Sequence, residues 1–315
     1  MRSTPRVSVI TPAYKAARYI GQAIESVQAQ TLTDWEMIIV DDASPDETAE
    51  VVKRYLDDPR IKLIRSECNR GVSGARNLAV EAAQGEWIAV LDADDWFAPE
   101  RLEHLWQFAQ EKGATVVADL QLQIDDTGRT YGVGFPPHLR PPTQPTFYSA
   151  RDYLYHHIPM QPFALHERIL HHRLKYPEGI VFGEDFIFQV QLVLCSSGMW
   201  ILPEPTYLYR VHPTSACSIY EGDISKVNLM FDILANLEGI RDNPELSRCV
   251  EAARKRFLLP IRYRRFVQSM RSGQWRAAWQ YFSPDVAAML LKRMPGGIYR
   301  RLFAREPVKA PREGA

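Results

Sequence analysis

Short apolar runs alternate with segments of helical periodicity through the first 125 residues. Each run is rich in Val, Ile and Leu and is nearly continuous in its apolar character, which is typical of a buried parallel strand covered on both faces. The runs lie at 7–11, 36–40, 61–65, 87–91 and 115–120. The segments between them repeat their apolar residues at helical spacing, at 17–30, 46–57, 72–83 and 99–112. We therefore predict an α/β fold, a mostly parallel sheet flanked by helices with right-handed crossovers.

The periodicity changes after residue 125. Five prolines and three glycines interrupt residues 125–149, which predicts a long irregular loop. A helix is predicted from about 185 to 197 and a strand over 206–211. Beyond Gly222 the pattern is helical throughout, so we expect a helical extension after the α/β body.

The composition excludes several protein classes. With 46% hydrophobic and 24% charged residues, the chain is typical of a globular protein rather than a disordered or fibrous one. No uncharged apolar run approaches the ~18 residues that a membrane-spanning helix needs, and the N-terminal residues lack the features of a signal peptide. We therefore expect a cytoplasmic protein. The four cysteines show neither the CxxC spacing of a zinc site nor a disulfide framework.

The net charge of zero is unevenly distributed along the chain. From Arg248 to the last residue there are 16 Lys and Arg against 4 Asp and Glu, whereas residues 1–247 carry 22 against 34. Arginines in the basic part alternate with Trp, Phe, Tyr and Leu at helical spacing, which is typical of a helix lying on an anionic membrane surface. Nucleic-acid binding and packing against the acidic α/β body are the alternatives. We expect packing together with contact to the inner face of the cell membrane, and no nucleic acid as a partner.

Acidic residues follow two of the predicted strands. Asp41 and Asp42 come after the second strand, and Asp92, Asp94 and Asp95 come after the fourth. The carboxyl ends of parallel strands meet at one edge of a sheet, so these carboxylates would converge there and repel one another without a cation. Mg²⁺ or Mn²⁺ would neutralise the negative charge of these carboxylates, and the metal ion would in turn bind a ligand that carries phosphate. Taken singly, each acidic pair is explained equally by a helix cap or an Asx turn.

Two common nucleotide-binding motifs are absent from the sequence. No Gly-x-Gly-x-x-Gly follows the first predicted strand, and the chain has no Gly-Lys-Ser/Thr loop. Their absence argues against a dinucleotide-dependent oxidoreductase and against a P-loop phosphotransferase.

An ordered set of motifs from Val7 to about Ser218 resembles the family 2 glycosyltransferases, which are inverting enzymes of GT-A fold with members in bacterial polysaccharide biosynthesis. The motifs are VSVITPAYKAARYIGQAIESVQAQT, WEMIIVDDASPDET, NRGVSGARNLAVEAAQGEWIAVLDADDWFAPERL, GEDFIF and YLYRVHPTS. Several spaced motifs in the family's order are far more specific than a lone DxD. The resemblance does not extend to the basic helical extension, 219–315.

The resemblance implies how the chain is organised. It assigns residues 1–218 to a GT-A glycosyltransferase domain. Within that domain, 1–125 would be the nucleotide-sugar-binding half and 126–218 the acceptor-binding half.

The same resemblance implies roles for residues around the nucleotide. Pro12, Ala13 and Tyr14 would form the wall of the nucleotide site, and Asp42 would accept a hydrogen bond from the base. A carboxylate suits that position because the imide N–H of a pyrimidine needs an acceptor.

Further donor-side roles concern the sugar and the diphosphate. Asp92 would contact the ribose or the sugar, and Asp94 would ligate a metal ion that bridges the diphosphate. Arg76 would touch phosphate or sugar, although a structurally paired arginine explains this position equally well. Arg210 and His212 would cover the diphosphate, with His212 as a second metal ligand, because the leaving group develops negative charge. A purely structural histidine is the alternative.

Glu184 and Asp185 match the acidic pair that supplies the general base in this family. By the resemblance, Asp185 would take the proton of the acceptor hydroxyl as its oxygen attacks the anomeric carbon. Glu184 would bind the acceptor. The alternative is that both acids simply favour the start of a helix electrostatically.

The resemblance implies a metal-dependent inverting glycosyltransferase. It would move a sugar from a nucleoside-diphosphate sugar, expected to be a UDP-sugar, onto a saccharide or lipid-linked saccharide acceptor in surface or exopolysaccharide synthesis. Two alternatives remain open: a nucleotidyltransferase, which would use the same acidic edge and metal, and a non-catalytic protein that binds nucleotide sugars.

Overall fold

The computed structural model describes residues 4–212 and 223–293, with the backbone alone for 291–293. The chain separates into two compact units, Met1–Ala253 and Arg254–Ala315. The predicted boundary between 218 and 219 lies outside the described residues. Among the described residues, no helix is both long and apolar enough to cross a membrane.

A ten-stranded sheet forms the centre of the first unit. Its strands are β1 (Val7–Ala13), β2 (Trp35–Asp41), β3 (Ile61–Arg65), β4 (Trp87–Val90), β5 (Trp96–Phe97), β6 (Val116–Ile124), β7 (Thr130–Gly134), β8 (Thr146–Tyr148), β9 (Phe163–Leu165) and β10 (Met199–Arg210). They lie in the order β3-β2-β1-β4-β9-β6-β10-β5, with β7 paired to β6 and β8 paired to β10.

The longer strands share one direction. β1 is parallel to β2 and β4, β2 is parallel to β3, and β6 is parallel to β10. β9 lies between β4 and β6 and is antiparallel to both, so β4 and β6 also run the same way. β5, β7 and β8 are antiparallel to the strands they pair with. The predicted α/β fold with a mostly parallel sheet is confirmed.

Helices pack around this sheet through their apolar faces. Those of the first unit are α1 (Ile20–Gln28), α2 (Thr48–Lys53), α3 (Gly71–Ala82), α4 (Arg101–Lys112), α5 (Ala150–His156), α6 (His166–His171), α7 (Glu184–Cys195) and α8 (Ile224–Asn236). In α1 the buried residues Ile20, Ala23, Ile24 and Val27 repeat at helical spacing and join the core around β1 and β2. Burial of this apolar surface is the main favourable contribution to folding.

The register of the parallel strands brings their carboxyl ends together. Ala13 at the end of β1 is opposite Asp41 at the end of β2, and Asp41 is opposite Arg65 of β3. β4 pairs with β1 and ends two residues before Asp92. The acidic segments predicted to meet at one edge of the sheet therefore follow β2 and β4, the two strands that flank β1.

The structure differs from the sequence-based expectation at residues 125–149. This segment is not wholly irregular, because it contains β7 and β8. The prediction failed because β7 is largely exposed and contains Gly132 and Gly134, so it shows no alternation of apolar and polar residues. The predicted strand over 206–211 is the second half of the long strand β10.

The second unit is helical as far as it is described. The helix α9 (Pro244–Arg271) begins in the first unit and continues into the second, followed by α10 (Trp275–Trp279) and α11 (Pro284–Arg293). Phe266, Ala278 and Val286 form a small buried core within the second unit, and Tyr263 and Met270 pack against it. The predicted helical extension is confirmed for the described residues.

Candidate active site

Three residues at the end of β1 were predicted to form the wall of the nucleotide site, and only one of them has an exposed side chain. Pro12 and Ala13 are buried within the strand, whereas Tyr14 is exposed directly after it. Lys15 follows with a left-handed backbone, φ 53°. A left-handed conformation is strained for a non-glycine residue and is concentrated at functional sites. Of the three, Tyr14 is therefore the side chain placed to contact a ligand.

Asp42 lies at the start of α3 and caps it. Its carboxylate accepts hydrogen bonds from the backbone N–H groups of Arg70 at 2.9 Å and Gly71 at 2.8 Å. These are donors that the first turn of a helix leaves without an intrahelical partner. Asp42 is buried, and Ala43 after it adopts φ 55°. The helix-cap interpretation of the sequence thus describes the contacts of Asp42, and its predicted contact with the base stays a prediction.

Asp92 is held from two sides. Nη2 of Arg76 donates to one carboxylate oxygen at 2.7 Å, and Nε2 of Gln161 donates to the other at 2.8 Å. The residue is partly exposed, so the carboxylate is fixed in orientation and still reaches the surface of the site.

Arg76 joins Asp92 to the acidic pair at the start of α7. Its guanidinium is buried over the ring of Tyr176, 5.2 Å from the ring centroid, and Nη1 lies 3.5 Å from Oε1 of Glu184. Burial alone would lower the pKa of Arg76, but Asp92, Glu184 and the neighbouring Asp185 more than offset this and raise the pKa. Arg76 therefore stays charged and neutralises part of the acidic cluster.

Glu184 and Asp185 occupy the first turn of α7. The helix follows Gly183, whose φ of 80° is in the left-handed region. Burial and the adjacent Asp185 raise the pKa of Glu184 to about 7, although Arg76 opposes the rise. Oδ1 of Asp185 accepts a hydrogen bond from the backbone N–H of Phe186 at 2.7 Å. The pair therefore contains a carboxyl group that changes its ionisation near neutral pH.

His157 lies beside this acidic pair. Its ring packs edge-on against Phe186, with the centroids 4.0 Å apart. Burial lowers the pKa of His157 to about 4, although Asp185 opposes the shift. His157 is therefore neutral at physiological pH.

Asp94 and His212 form the pair that can hold a divalent cation. Oδ2 of Asp94 lies 3.0 Å from Nε2 of His212. Two ligands placed about 2.1 Å from one octahedral ion also lie about 3 Å apart, so this separation fits a shared Mn²⁺ or Mg²⁺. The described residues contain no cluster of three His, Cys, Asp or Glu side chains suited to a metal ion. Such ions are commonly held by one or two protein groups, with phosphate oxygens and water as the other ligands.

Asp95, the third acid of this segment, is turned into the protein. It accepts hydrogen bonds from the hydroxyl of Tyr207 at 2.7 Å and from the backbone N–H of Arg210 at 2.8 Å. Burial, together with Asp94 and Asp92, raises the pKa of Asp95 well above its usual range. Asp95 therefore supports the turn and is not placed to bind a metal ion.

Arg210 is enclosed by protein groups. Its guanidinium donates to three oxygen atoms, the carbonyl of Asp94 and the side chains of Gln22 and Asp126. The rings of Tyr19 and Trp96 lie on the guanidinium, each centroid 4.7 Å away. These contacts fix the backbone of the Asp94 turn. The predicted contact of Arg210 with a diphosphate stays a prediction.

The structure thus brings most of the predicted residues into two groups. Asp92, Arg76 and Glu184 are joined by direct contacts, with Asp185 beside them, and Asp94, His212 and Arg210 form the second group. Tyr14 and Asp42 follow β1 and β2 at the same edge of the sheet. Asp42 is bonded to the start of α3 rather than to either group. Three further residues of the site, Gln161, Asp126 and Tyr207, were not predicted from the sequence. Asp126 stands in a segment predicted to be an irregular loop, Tyr207 is an uncharged residue of the YLYRVHPTS motif, and Gln161 belongs to no motif.

The chain belongs to glycosyl transferase family 2, whose model matches residues 8–173. The succinoglycan biosynthesis protein ExoO of Rhizobium meliloti (strain 1021) is 32% identical over 233 residues, which cover 71% of this chain and 63% of the relative. The putative glycosyltransferase EpsH of Bacillus subtilis (strain 168) is 28% identical over 227 residues, 69% of this chain and 64% of the relative. The chain thus spans slightly less than two thirds of the length of these relatives.

Solved structures show the same fold. TarS 1–349 of S. aureus in complex with UDP-GlcNAc has a TM-score of 0.63 at 22% identity, covering 94% of this chain and 87% of that chain. The mannosyltransferase PcManGT from Pyrobaculum calidifontis, in complex with GDP-Man and Mn²⁺, has a TM-score of 0.60 at 18% identity, covering 94% and 81%. The predicted family, its GT-A fold and the glycosyltransferase class of the domain are therefore confirmed.

Proposed function

We propose that this protein is a metal-dependent inverting glycosyltransferase that uses a nucleoside-diphosphate sugar, with UDP as the nucleotide. The observation that carries the proposal is the contact of one buried cation, Arg76, with both Asp92 and Glu184. Asp92 belongs to the predicted donor side and Glu184 to the predicted acceptor side. A sugar transferred between them would lie in the space that these residues border.

In this proposal Asp185 is the general base. It takes the proton of an acceptor hydroxyl while the oxygen forms a bond to the anomeric carbon on the face opposite the leaving nucleotide. The bond between the anomeric carbon and the phosphate oxygen breaks, and the nucleoside diphosphate leaves with the electron pair. Glu184 holds the acceptor beside the base, and Asp92 orients the sugar or ribose.

The donor's nucleotide would lie along the ends of β1 and β2. Tyr14 offers an exposed ring there, and Asp42 retains acceptor capacity for the base because a carboxylate has about four lone-pair sites. Asp94 and His212 would hold Mn²⁺ or Mg²⁺, which neutralises negative charge on the diphosphate when bound. Residues 1–125 would then serve the donor, and 126–218 the acceptor.

The named function of one relative supports the proposed acceptor class. The name of ExoO places that protein in succinoglycan biosynthesis. We propose by analogy a saccharide or lipid-linked saccharide acceptor in surface or exopolysaccharide synthesis. Such acceptors place the protein in the cytoplasm at the inner face of the cell membrane.

The products distinguish this function from its alternatives. With a panel of UDP- and GDP-sugars and Mn²⁺, we expect release of a nucleoside diphosphate and its acceleration by the correct saccharide. Release of pyrophosphate from a nucleoside triphosphate would instead identify a nucleotidyltransferase. Tight donor binding without any turnover would identify a non-catalytic binding protein.

The variant Asp185→Asn tests the assigned base. Because the amide keeps the shape of the side chain and loses its basicity, transfer should fall by about 10²- to 10⁴-fold. Donor affinity should stay within a factor of about two, since no donor contact is assigned to this residue. Unchanged turnover in Asp185→Asn would contradict the assignment of the base.

A further inference from the structure

The second unit exposes large aromatic side chains. Trp275 and Trp279 lie four residues apart on α10 and are 59% and 63% exposed, and Phe282 is 40% exposed. The tryptophans Trp35 and Trp87 of the first unit are only 2% exposed. Aromatic rings of this size are normally buried, so a cluster of exposed ones marks a surface that contacts something else.

These rings are presented by a packed scaffold. Ala278, in the same helix, is fully buried with Phe266 and Val286. Trp279 packs edge-on against Phe282 with the ring centroids 4.8 Å apart, and Phe282 lies 5.6 Å from Phe266. Trp279 and Phe282 are therefore connected to the core of the second unit through Phe266.

The segment around the rings is strongly basic. Residues 254–293 contain ten Lys and Arg against a single Asp or Glu, Asp285. Arg271 and Arg276 are exposed and flank Trp275 in the sequence. Exposed cations beside exposed aromatic rings combine long-range attraction to negative charge with a short-range apolar contact.

We propose that the surface formed by Trp275, Trp279, Phe282, Arg271 and Arg276, here called the aromatic-basic surface, binds the face of an anionic lipid bilayer. The inference rests on the proposed location of the protein at the inner face of the membrane and names the surface responsible. Indole rings favour the headgroup level of a bilayer, where the apolar ring is buried and the N–H stays hydrated. The arginines would meet anionic headgroups at the same depth.

Lipid is favoured over nucleic acid by the composition of this surface. Nucleic-acid sites gain most of their affinity from phosphate contacts with cations. This surface exposes three large rings, two of them tryptophans, as well as its two arginines. A bilayer buries such rings in its interface, whereas stacking on nucleic acid requires an unstacked base.

Vesicle co-sedimentation of the full chain tests the proposal. We expect binding to vesicles of phosphatidylcholine with phosphatidylglycerol, weakening as salt is raised, and little binding to phosphatidylcholine alone. The double variant Trp275→Ala/Trp279→Ala should lower the vesicle partition coefficient by about tenfold or more. Arg271→Gln/Arg276→Gln should weaken binding and reduce its salt dependence.

A matched control distinguishes binding through this surface from nonspecific hydrophobic binding to vesicles. Leu170→Ala/Leu229→Ala removes exposed apolar side chains from the first unit, 58% and 50% exposed, and should leave vesicle binding unchanged. Circular dichroism and nucleotide binding by each variant establish that the fold is intact. Equal binding of the tryptophan variant and the wild-type protein would overturn the proposal. Binding to single-stranded RNA that is stronger than to the anionic vesicles would also overturn it.

The outcome is independent of the transfer reaction. A protein that binds anionic vesicles through these rings but transfers no sugar would retain this inference and lose the proposed function. A protein that transfers sugar but does not bind anionic vesicles would support the proposed function and refute this inference.

Discussion

Nη1 of Arg76 lies 3.5 Å from Oε1 of Glu184, and the same guanidinium donates through Nη2 to Asp92 at 2.7 Å. Arg76 is buried on α3, Asp92 follows β4 and Glu184 begins α7, so three distant parts of the chain meet at one cation. A buried charge without a partner is strongly destabilising, so each of these charges depends on the others staying in place. The carboxylates assigned to the donor and acceptor sides are therefore held in one ion-paired cluster.

Removing the cation should destabilise the protein. Arg76→Gln leaves the partly exposed Asp92 and the more deeply placed Glu184 without their shared cation, which should reduce the free energy of unfolding by about 3 kcal/mol. Arg76→Lys keeps the charge and should lose less. Arg70→Gln is the matched control, because the Arg70–Glu178 ion pair is largely exposed and such pairs contribute about 0–1 kcal/mol. Urea unfolding measures all three, and equal losses in Arg76→Gln and Arg70→Gln would refute the ion-paired cluster.

Glu184 should make stability depend on pH. Its pKa in the folded protein, about 7, is above its ordinary value of 4.5. The folded protein therefore holds this proton more tightly than the unfolded chain does. The corresponding stability is fully present below about pH 4.5 and is lost as the pH rises through about 7, a change of up to about 3 kcal/mol.

The variant Glu184→Gln isolates this contribution. It should remove that part of the pH dependence, so the difference in unfolding free energy between variant and wild type should grow in the variant's favour from pH 4.5 to 7.5. Glu178→Gln is the matched control for the loss of an exposed carboxylate. A difference between Glu184→Gln and the wild type that stays constant across this range would contradict the raised pKa of Glu184.

Asp94 and His212 should be needed for metal binding. Asp94→Asn and His212→Gln each remove one of two adjacent ligands, so Mn²⁺ affinity in the presence of UDP should fall by about tenfold or more. Asp125→Asn is a suitable control because Asp125 is a partly exposed carboxylate that accepts hydrogen bonds from Thr127 and Tyr131 of its own hairpin. Electron paramagnetic resonance of free Mn²⁺ reports this affinity without any turnover. Wild-type affinity in both variants would exclude them as ligands.

Gly183 should be required for the start of α7. Its φ is 80°, and a Cβ built there would overlap Sδ of Met230, so Gly183→Ala combines backbone strain with a steric clash. Gly179→Ala is the matched control, since Gly179 has φ 79° with nothing within 4 Å of its Cβ position. Both variants should lose about 1 kcal/mol from strain, and Gly183→Ala should lose a further ~1–3 kcal/mol from overpacking. Thermal unfolding measures the difference. Met230→Ala should cost less in the Gly183→Ala background than in the wild-type protein, because there it also removes the clash.

Much of the fold was predictable because buried parallel strands leave a strong local signal. β1, β2, β3, β4 and β6 are short, nearly continuous apolar runs, and the helices between them repeat at helical spacing. β7 and β9 were missed for physical reasons. β7 is largely exposed and contains two glycines, and the three-residue β9 is too short to show a period. β7 is therefore set by pairing with β6, and β9 by pairing with β4 and β6, rather than by local pattern.

The sequence indicated which types of residue form the site, but it gave less information about the contacts those residues make. The acids that follow β2 and β4 do lie at one edge, since parallel register requires it. The sequence could not show that Asp42 caps α3 or that Arg210 is enclosed between two aromatic rings. Nor could it find Gln161, whose side chain orients Asp92 from a segment without any periodic pattern. Such contacts depend on tertiary packing.

The central claim is that the acidic sheet edge is a metal-dependent site for a nucleotide sugar. Calorimetric titration of the folded protein with UDP, GDP and their sugars, in Mn²⁺ and again with a chelator, tests it most directly. We predict binding of UDP and a UDP-sugar that is stronger than that of GDP and that falls by about tenfold or more when the metal is removed. The absence of binding to every nucleotide in the panel, with Mn²⁺ present, would contradict the account.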